Sequence, residues 1–202
     1  MIAPVTLTLI IVNVAVYFWT NFSKEYFDKF SERPYEIVRY NRYYQMLTSA
    51  FLHANLMHLF FNMFTLFSFG TVLESLFKQL SGEIPGSIYF LLIYFISLFS
   101  GSILTTALHF KNPGYVAVGA SGAVSGVIFS YVLFFPMSKV GVFFVPMPAF
   151  IFAVLYVAVS IYGMKKSLGN IGHEAHLGGA LGGLIATLLM FQEARMVLMH
   201  YL

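Results

Sequence analysis

Six stretches of this 202-residue chain are long and apolar enough to cross a bilayer, and that leaves little choice of architecture. They cover about 3–20, 56–77, 86–108, 120–136, 148–164 and 174–192. A hydrocarbon core of about 30 Å takes roughly 20 residues of helix to span. Inside lipid every backbone N–H and C=O needs a partner within the protein, so helices are expected. Charged residues make up only 9% of the chain, against roughly 25% in a soluble domain. So little charge cannot coat a soluble globule. The expectation is an all-α integral membrane protein, a bundle of six transmembrane helices forming one domain over 1–202.

The connections are unequal. The stretch from about 21 to 55 holds nine of the nineteen Lys, Arg, Asp and Glu residues and many rings, among them Tyr26, Phe27, Phe30, Tyr40 and Tyr44. Aromatic rings favour the headgroup level, so this first loop is expected to be interfacial and partly helical. Later connections are short, with turn signals at Asn112-Pro113-Gly114, Pro136, Pro146/Pro148 and Gly169-Asn170. The fourth segment is short. Fifteen residues from Ser121 to Phe135 would rise about 22 Å, so Ser121 is expected several Å below the near surface. The first segment lacks a basic leader and a small-residue cleavage site, and is expected to stay in the chain. A net charge of +3 without a basic stripe gives no sign of nucleic-acid binding. There is no cysteine and so no disulfide or thiolate chemistry.

Polar side chains cluster at three helix mouths, where they are costly and therefore functional by default. The fourth segment opens with Gly119-Ala120-Ser121-Gly122, and the sixth with Ala175-His176-Leu177-Gly178-Gly179. Serine is a weak nucleophile without a base in hydrogen-bond reach, and histidine is the usual base. Gly122 and Gly126, like Gly179 and Gly183, are four apart, a spacing membrane helices use for close approach. Such packing would bring Ser121 and His176 together. The second segment opens with His53, His58 and Asn62. His58 and Asn62 are four apart and share a face, and with the free N–H groups starting the fourth helix could hold an oxyanion. His173 reads as a rim residue. A third triad member is missing: the sole aspartate is Asp28 in the first loop, and Glu174 points about 160° from His176 on an ideal helix.

These motifs, H-x4-H-x3-N, G-A-S-G and A-H-x2-G-x3-G in that order, resemble the rhomboid family of intramembrane serine proteases. The resemblance covers nearly the whole chain. It implies a six-transmembrane-helix rhomboid-like bundle with a long interfacial first loop and a short central fourth helix. It implies Ser121 as nucleophile and His176 as general base. It implies His58, Asn62 and the Ser121 N–H as oxyanion donors, and His53 as a structural residue tying down the first loop. Glu74 resembles the family's buried acidic position. A cytoplasmic N-terminus is implied, with the active site opening outward, in a bacterial cytoplasmic membrane. Loop charges alone leave the orientation open. Two positions depart from the pattern. Tyr44-Gln45 stand where members often carry Trp-Arg, and Ser125 stands where many carry an aromatic residue that packs on the base.

The expected reaction is hydrolysis of peptide bonds in or beside the transmembrane helices of membrane-protein substrates. It would run through an acyl-enzyme and use no metal or other cofactor. The fifth segment and the Lys165–Gly172 loop are the expected gate and cap. Other chemistries fit less well. His173-Glu174-Ala175-His176 is one residue short of a zinc helix, which spaces its histidines four apart. An aspartyl site needs two intramembrane aspartates. A serine-hydrolase elbow needs glycine at 123, where this chain has alanine. The rival from another class is a non-catalytic rhomboid-like protein that binds or escorts membrane helices.

Overall fold

The structure, a computed structural model, describes residues 3–142, 145–166 and 172–201. Its elements are α1 (Pro4–Asn21), α2 (Lys24–Phe30), α3 (Pro34–Tyr40), α4 (Tyr44–Thr48), α5 (Leu56–Thr65), α6 (Thr71–Ser81), α7 (Glu83–His109) and α8 (Ser121–Phe134). They continue with β1 (Lys139–Val142), β2 (Val145–Pro148), α9 (Ala149–Lys166), α10 (His173–Met190) and α11 (Gln192–Tyr201). All six apolar segments are helical. Leu56–Ser81, Glu83–His109 and Ala149–Lys166 are each long and apolar enough to cross a membrane. Pro4–Thr20 and Ser121–Phe134 are shorter apolar helices, and α10 meets α11 at a bend of 108°.

Burial on all sides sets α8 apart. Gly122, Ala123, Val124, Ser125, Gly126 and Val127 are all buried, so its neighbours, not lipid, surround it. Its 14 residues rise about 21 Å. Helices α7, α8 and α10 form the centre, with α10 packed most extensively on the other two. Glycines make that possible. A Cβ at Gly179 would lie 1.9 Å from the Gly122 carbonyl oxygen, and one at Gly183 would lie 2.4 Å from Gly126 Cα. On the α7 side, a Cβ at Gly101 would lie 2.6 Å from the Ala175 carbonyl oxygen. Any side chain at these positions would push the helices apart.

A five-residue π-helical turn, Leu66–Gly70, joins α5 to α6 within one span. Below it, Glu74 is fully buried and crosses to α1. Its carboxylate accepts from Val5 N (3.1 Å), Thr6 N (2.8 Å) and Thr6 Oγ1 (2.8 Å). It thus caps the free N–H groups of the first turn of α1, where a negative charge suits the helix dipole. Lys78 Nζ lies 3.6 Å from Glu74 Oε1 and 3.2 Å from Glu83 Oε2.

The first loop contains the short helices α2, α3 and α4. Gln45 is buried at its centre. Its Oε1 accepts from Arg33 N (3.2 Å), and its Nε2 donates to the Lys29 carbonyl and Glu36 Oε2 (3.3 Å each). A neutral amide thus links three parts of the loop. One feature goes beyond the all-α expectation and another beyond the six expected helices. The prolines at 136, 146 and 148 flank and enter an antiparallel β1–β2 hairpin, which pairs Lys139 with Pro148 and Val142 with Val145. Helix α11 is separate from α10 and places Met196 and Met199 outward. The expected cap over Lys165–Gly172 falls mostly on residues 167–171, outside the described residues.

Candidate active site

Ser121 is the first residue of α8, and the turn before it is built around Gly119. Gly119 has φ of +125°, a conformation that favours glycine. A Cβ there would also lie 2.6 Å from His58 Cε1, so the missing side chain lets the His58 ring lie against this turn. Gly119 N donates to the Ser49 carbonyl at 2.9 Å. Along the start of α8 the first carbonyl partner appears at Val124, whose N–H donates to Ala120 at 2.9 Å. The earlier N–H groups lack intrahelical partners, as at any helix start.

His58 and Asn62 lie on α5, whose first turn is capped by Asn55 accepting from His58 N at 2.9 Å. Asn62 is buried and donates one Nδ2 hydrogen to the His58 carbonyl at 2.9 Å. A carboxamide carries two such hydrogens, so one remains to donate. His53 is buried, and among the described residues neither of its ring nitrogens has a side-chain partner. Its ring stands edge-on to His58 at 5.1 Å, so it contacts the site by packing. Burial, followed by the neighbouring His58 charge, lowers its pKa to about 4.

His176 lies in the first turn of α10, beside the seam with α8. A Cβ at Gly122 would lie 3.2 Å from the Ala175 carbonyl oxygen, so the residues next to Ser121 and His176 touch backbone to backbone. Gly122, Gly179 and Gly183 therefore close the gap between the two helices. Glu174 does face away from His176, accepting at 2.9 Å from His109 Nε2 and at 3.4 Å from the Tyr115 hydroxyl. His173 is not the rim residue expected from its position. It is buried because Gly163 on α9 leaves room for its ring, where a Cβ would lie 2.2 Å from Nε2. Among the described residues that nitrogen has no partner.

No hydrogen bond joins the Ser121 hydroxyl to the His176 ring among the described residues. Such contacts are commonly long before substrate binds and tighten in the reacting complex. Among the described residues, no three His, Cys, Asp or Glu side chains converge to hold a metal ion.

Two contributors escaped the sequence reading. Glu32 of the first loop pairs its backbone with Ala117, four residues before Ser121, at 2.9 and 3.0 Å. Its buried carboxyl accepts from Ser102 (2.7 Å) and Thr106 (3.2 Å) on α7. Burial raises its pKa to about 7, against the lowering effect of these two hydroxyls. Glu32 thus fastens the interfacial loop to the turn carrying the serine, but in the sequence it is one acid among several in a charged loop. The other is Tyr156 on α9, whose ring lies 5.8 Å from His176. A tyrosine within an apolar span was its only signal.

Residues 40–193 match the family model for the Rhomboid domain. The chain is 28% identical over 192 residues, 90% of its length, to RHOMBOID-like protein 12, mitochondrial, of Arabidopsis thaliana. It is 29% identical over 158 residues (78% of its length) to Rhomboid protease GluP of Bacillus subtilis. It is 31% identical over 147 residues (69%) to Rhomboid protein 1, mitochondrial, of Saccharomyces cerevisiae. The chain spans 57%, 28% and 40% of the lengths of these relatives.

Proposed function

The chain belongs to the rhomboid family, and on that premise we propose that it is an intramembrane serine endopeptidase working through Ser121 and His176. The carrying observation is the glycine seam between α8 and α10. It sets the first turns of the two helices against each other, with Gly122 touching Ala175, and His58 lies over the turn before the serine.

Ser121 Oγ attacks the scissile carbonyl carbon while His176 takes the hydroxyl proton. The resulting oxyanion accepts hydrogen bonds from the Ser121 N–H, from His58 and from the free Asn62 hydrogen. Collapse breaks the C–N bond, and His176 returns the proton to the leaving amine. An ester to Ser121 remains, and water, deprotonated by His176, hydrolyses it. A transmembrane helix hides its carbonyls in internal hydrogen bonds, so the substrate must unwind near the cut. Substrates should carry small or helix-destabilising residues there.

In this reading the six apolar helices cross the membrane, with the N-terminus cytoplasmic and the site open to the outer side. The membrane is a bacterial cytoplasmic one, and α9 gates access. The mitochondrial names among the relatives favour testing an organelle membrane too. The relative named only rhomboid-like favours weighing a second reading, a non-catalytic rhomboid-like protein that holds membrane helices. Purified protein in bilayers, given a single-span substrate, separates the two. Cleavage by the wild type that is lost in Ser121→Ala and in His176→Ala is expected. A folded wild type that binds without cutting would support the second reading.

A further inference from the structure

We infer that Tyr156 on α9 is the positioning residue of His176, taking the place of the carboxylate this site lacks. The inference rests on the protease reading and names what orients its base. The Tyr156 ring lies 5.8 Å from the imidazole at 31°, within the range of offset ring pairs. His173 also meets the same imidazole edge-on, at 6.1 Å. His173 is itself seated on Gly163 of α9. Helix α9 therefore touches His176 directly through Tyr156 and indirectly through His173.

The tyrosine ring is itself fixed. Phe129 of α8 and Phe152 of α9 each stand 5.7 Å from it. Its hydroxyl is hydrogen-bonded to Ser125 Oγ. Ser125 has one hydroxyl hydrogen and gives it to the Ser121 carbonyl at 2.6 Å, so Tyr156 is the donor to Ser125. The backbone of the nucleophile is thus linked through Ser125 and Tyr156 to the face of the base, across α8, α9 and α10. The only acid nearby in sequence, Glu174, is engaged with His109 and Tyr115. Among the described residues nothing acidic bonds to His176, and the Tyr156 ring supplies the restraint. Displacing α9 would remove it, so the base is set only while α9 is in place.

A small water-soluble fluorophosphonate tests this without needing a substrate helix to pass α9. Ser121 Oγ attacks phosphorus, fluoride leaves, and His176 takes the proton, so the maximal rate kinact reports how well the base is placed, and the concentration dependence KI reports binding. Tyr156→Ala should lower kinact roughly 100-fold at an unchanged KI, as misplacing a catalytic group does. Tyr156→Phe keeps the ring and should lose only about fivefold, as for one hydrogen bond. Ser125→Ala, which also deletes the bond to the Ser121 carbonyl, should lose at least as much, and the Ser125→Ala/Tyr156→Phe double variant should lose no more than Ser125→Ala, since the bond between the two is already gone. Equal kinact in wild type and Tyr156→Ala overturns the inference while leaving the protease reading standing. Multiplying losses in the Ser125/Tyr156 pair overturn it as well. A folded wild type that never labels at Ser121 overturns the protease reading first and this inference with it.

Discussion

Two polar clusters are buried in this bundle, and they are finished to different degrees. Around Glu74 the carboxylate meets two backbone N–H groups, a hydroxyl and the Lys78 ammonium. Around Ser121, among the described residues, the His53 ring makes no side-chain hydrogen bond, His173 Nε2 has no partner, and no hydrogen bond joins the proposed nucleophile and base. Buried polar groups left unpaired are expensive. A site that must accept a substrate's carbonyl and water has a use for open partners. Pairing is complete around the Glu74 carboxylate and incomplete around the proposed site, although Asn13 Oδ1 and Thr105 Oγ1 are also buried without a partner among the described residues.

The widest separation should come from Ser121→Ala. Cleavage should fall by about 10^4-fold or more while the melting temperature stays put. Parallel loss of fold and activity would collapse the contrast. Glu74→Ala should do the reverse. Removing one partner from a buried charged cluster costs about 3–5 kcal/mol, read as a lower unfolding midpoint in detergent, with activity per folded molecule retained. Next in size is Asn62→Ala. Loss of one oxyanion donor should lower kcat roughly 10^2–10^3-fold with little change in KM. A change confined to KM would make Asn62 a substrate-binding group instead.

A pH-dependent effect sharpens the comparison at the tie between loop and site. The Glu32 carboxyl titrates near 7 in the folded chain, above its ordinary 4.5, because it is buried. Below 4.5 it is protonated both folded and unfolded. As pH rises towards 7 only the unfolded form gives up its proton, so stability falls by about 1.4 kcal/mol for each pH unit between. Unfolding midpoints at pH 5 and pH 8 should therefore differ more in wild type than in Glu32→Gln. Identical differences would mean that the Glu32 carboxyl is not kept protonated by burial in the folded chain.

Much of this was legible in the sequence, for definable reasons. Apolar length marked the six helices, since lipid leaves a backbone no other choice. Glycines four apart marked the α8–α10 seam, because only they permit carbonyl-level contact. The motif order marked the family. Other features were not legible. His173 looked like a rim residue because its burial depends on Gly163, ten residues away on another helix. Gln45 looked like a departure, yet its amide holds the loop through Arg33, Lys29 and Glu36, none of them next to it in sequence. Ser125 looked like a missing aromatic ring, while the ring beside His176 comes from Tyr156. The β1–β2 hairpin and α11 lay beyond the reach of apolar length, which reads spans and not their connections.

The account stands most directly on Ser121 and His176 acting as one unit. The decisive measurement is the cleavage rate of a single-span substrate by Ser121→Ala, His176→Ala and the double variant, each shown to be folded. Residues of one reacting unit are not additive, so all three should share the same residual rate. Losses that multiply in the double variant, or a His176→Ala that cleaves like the wild type, would contradict it.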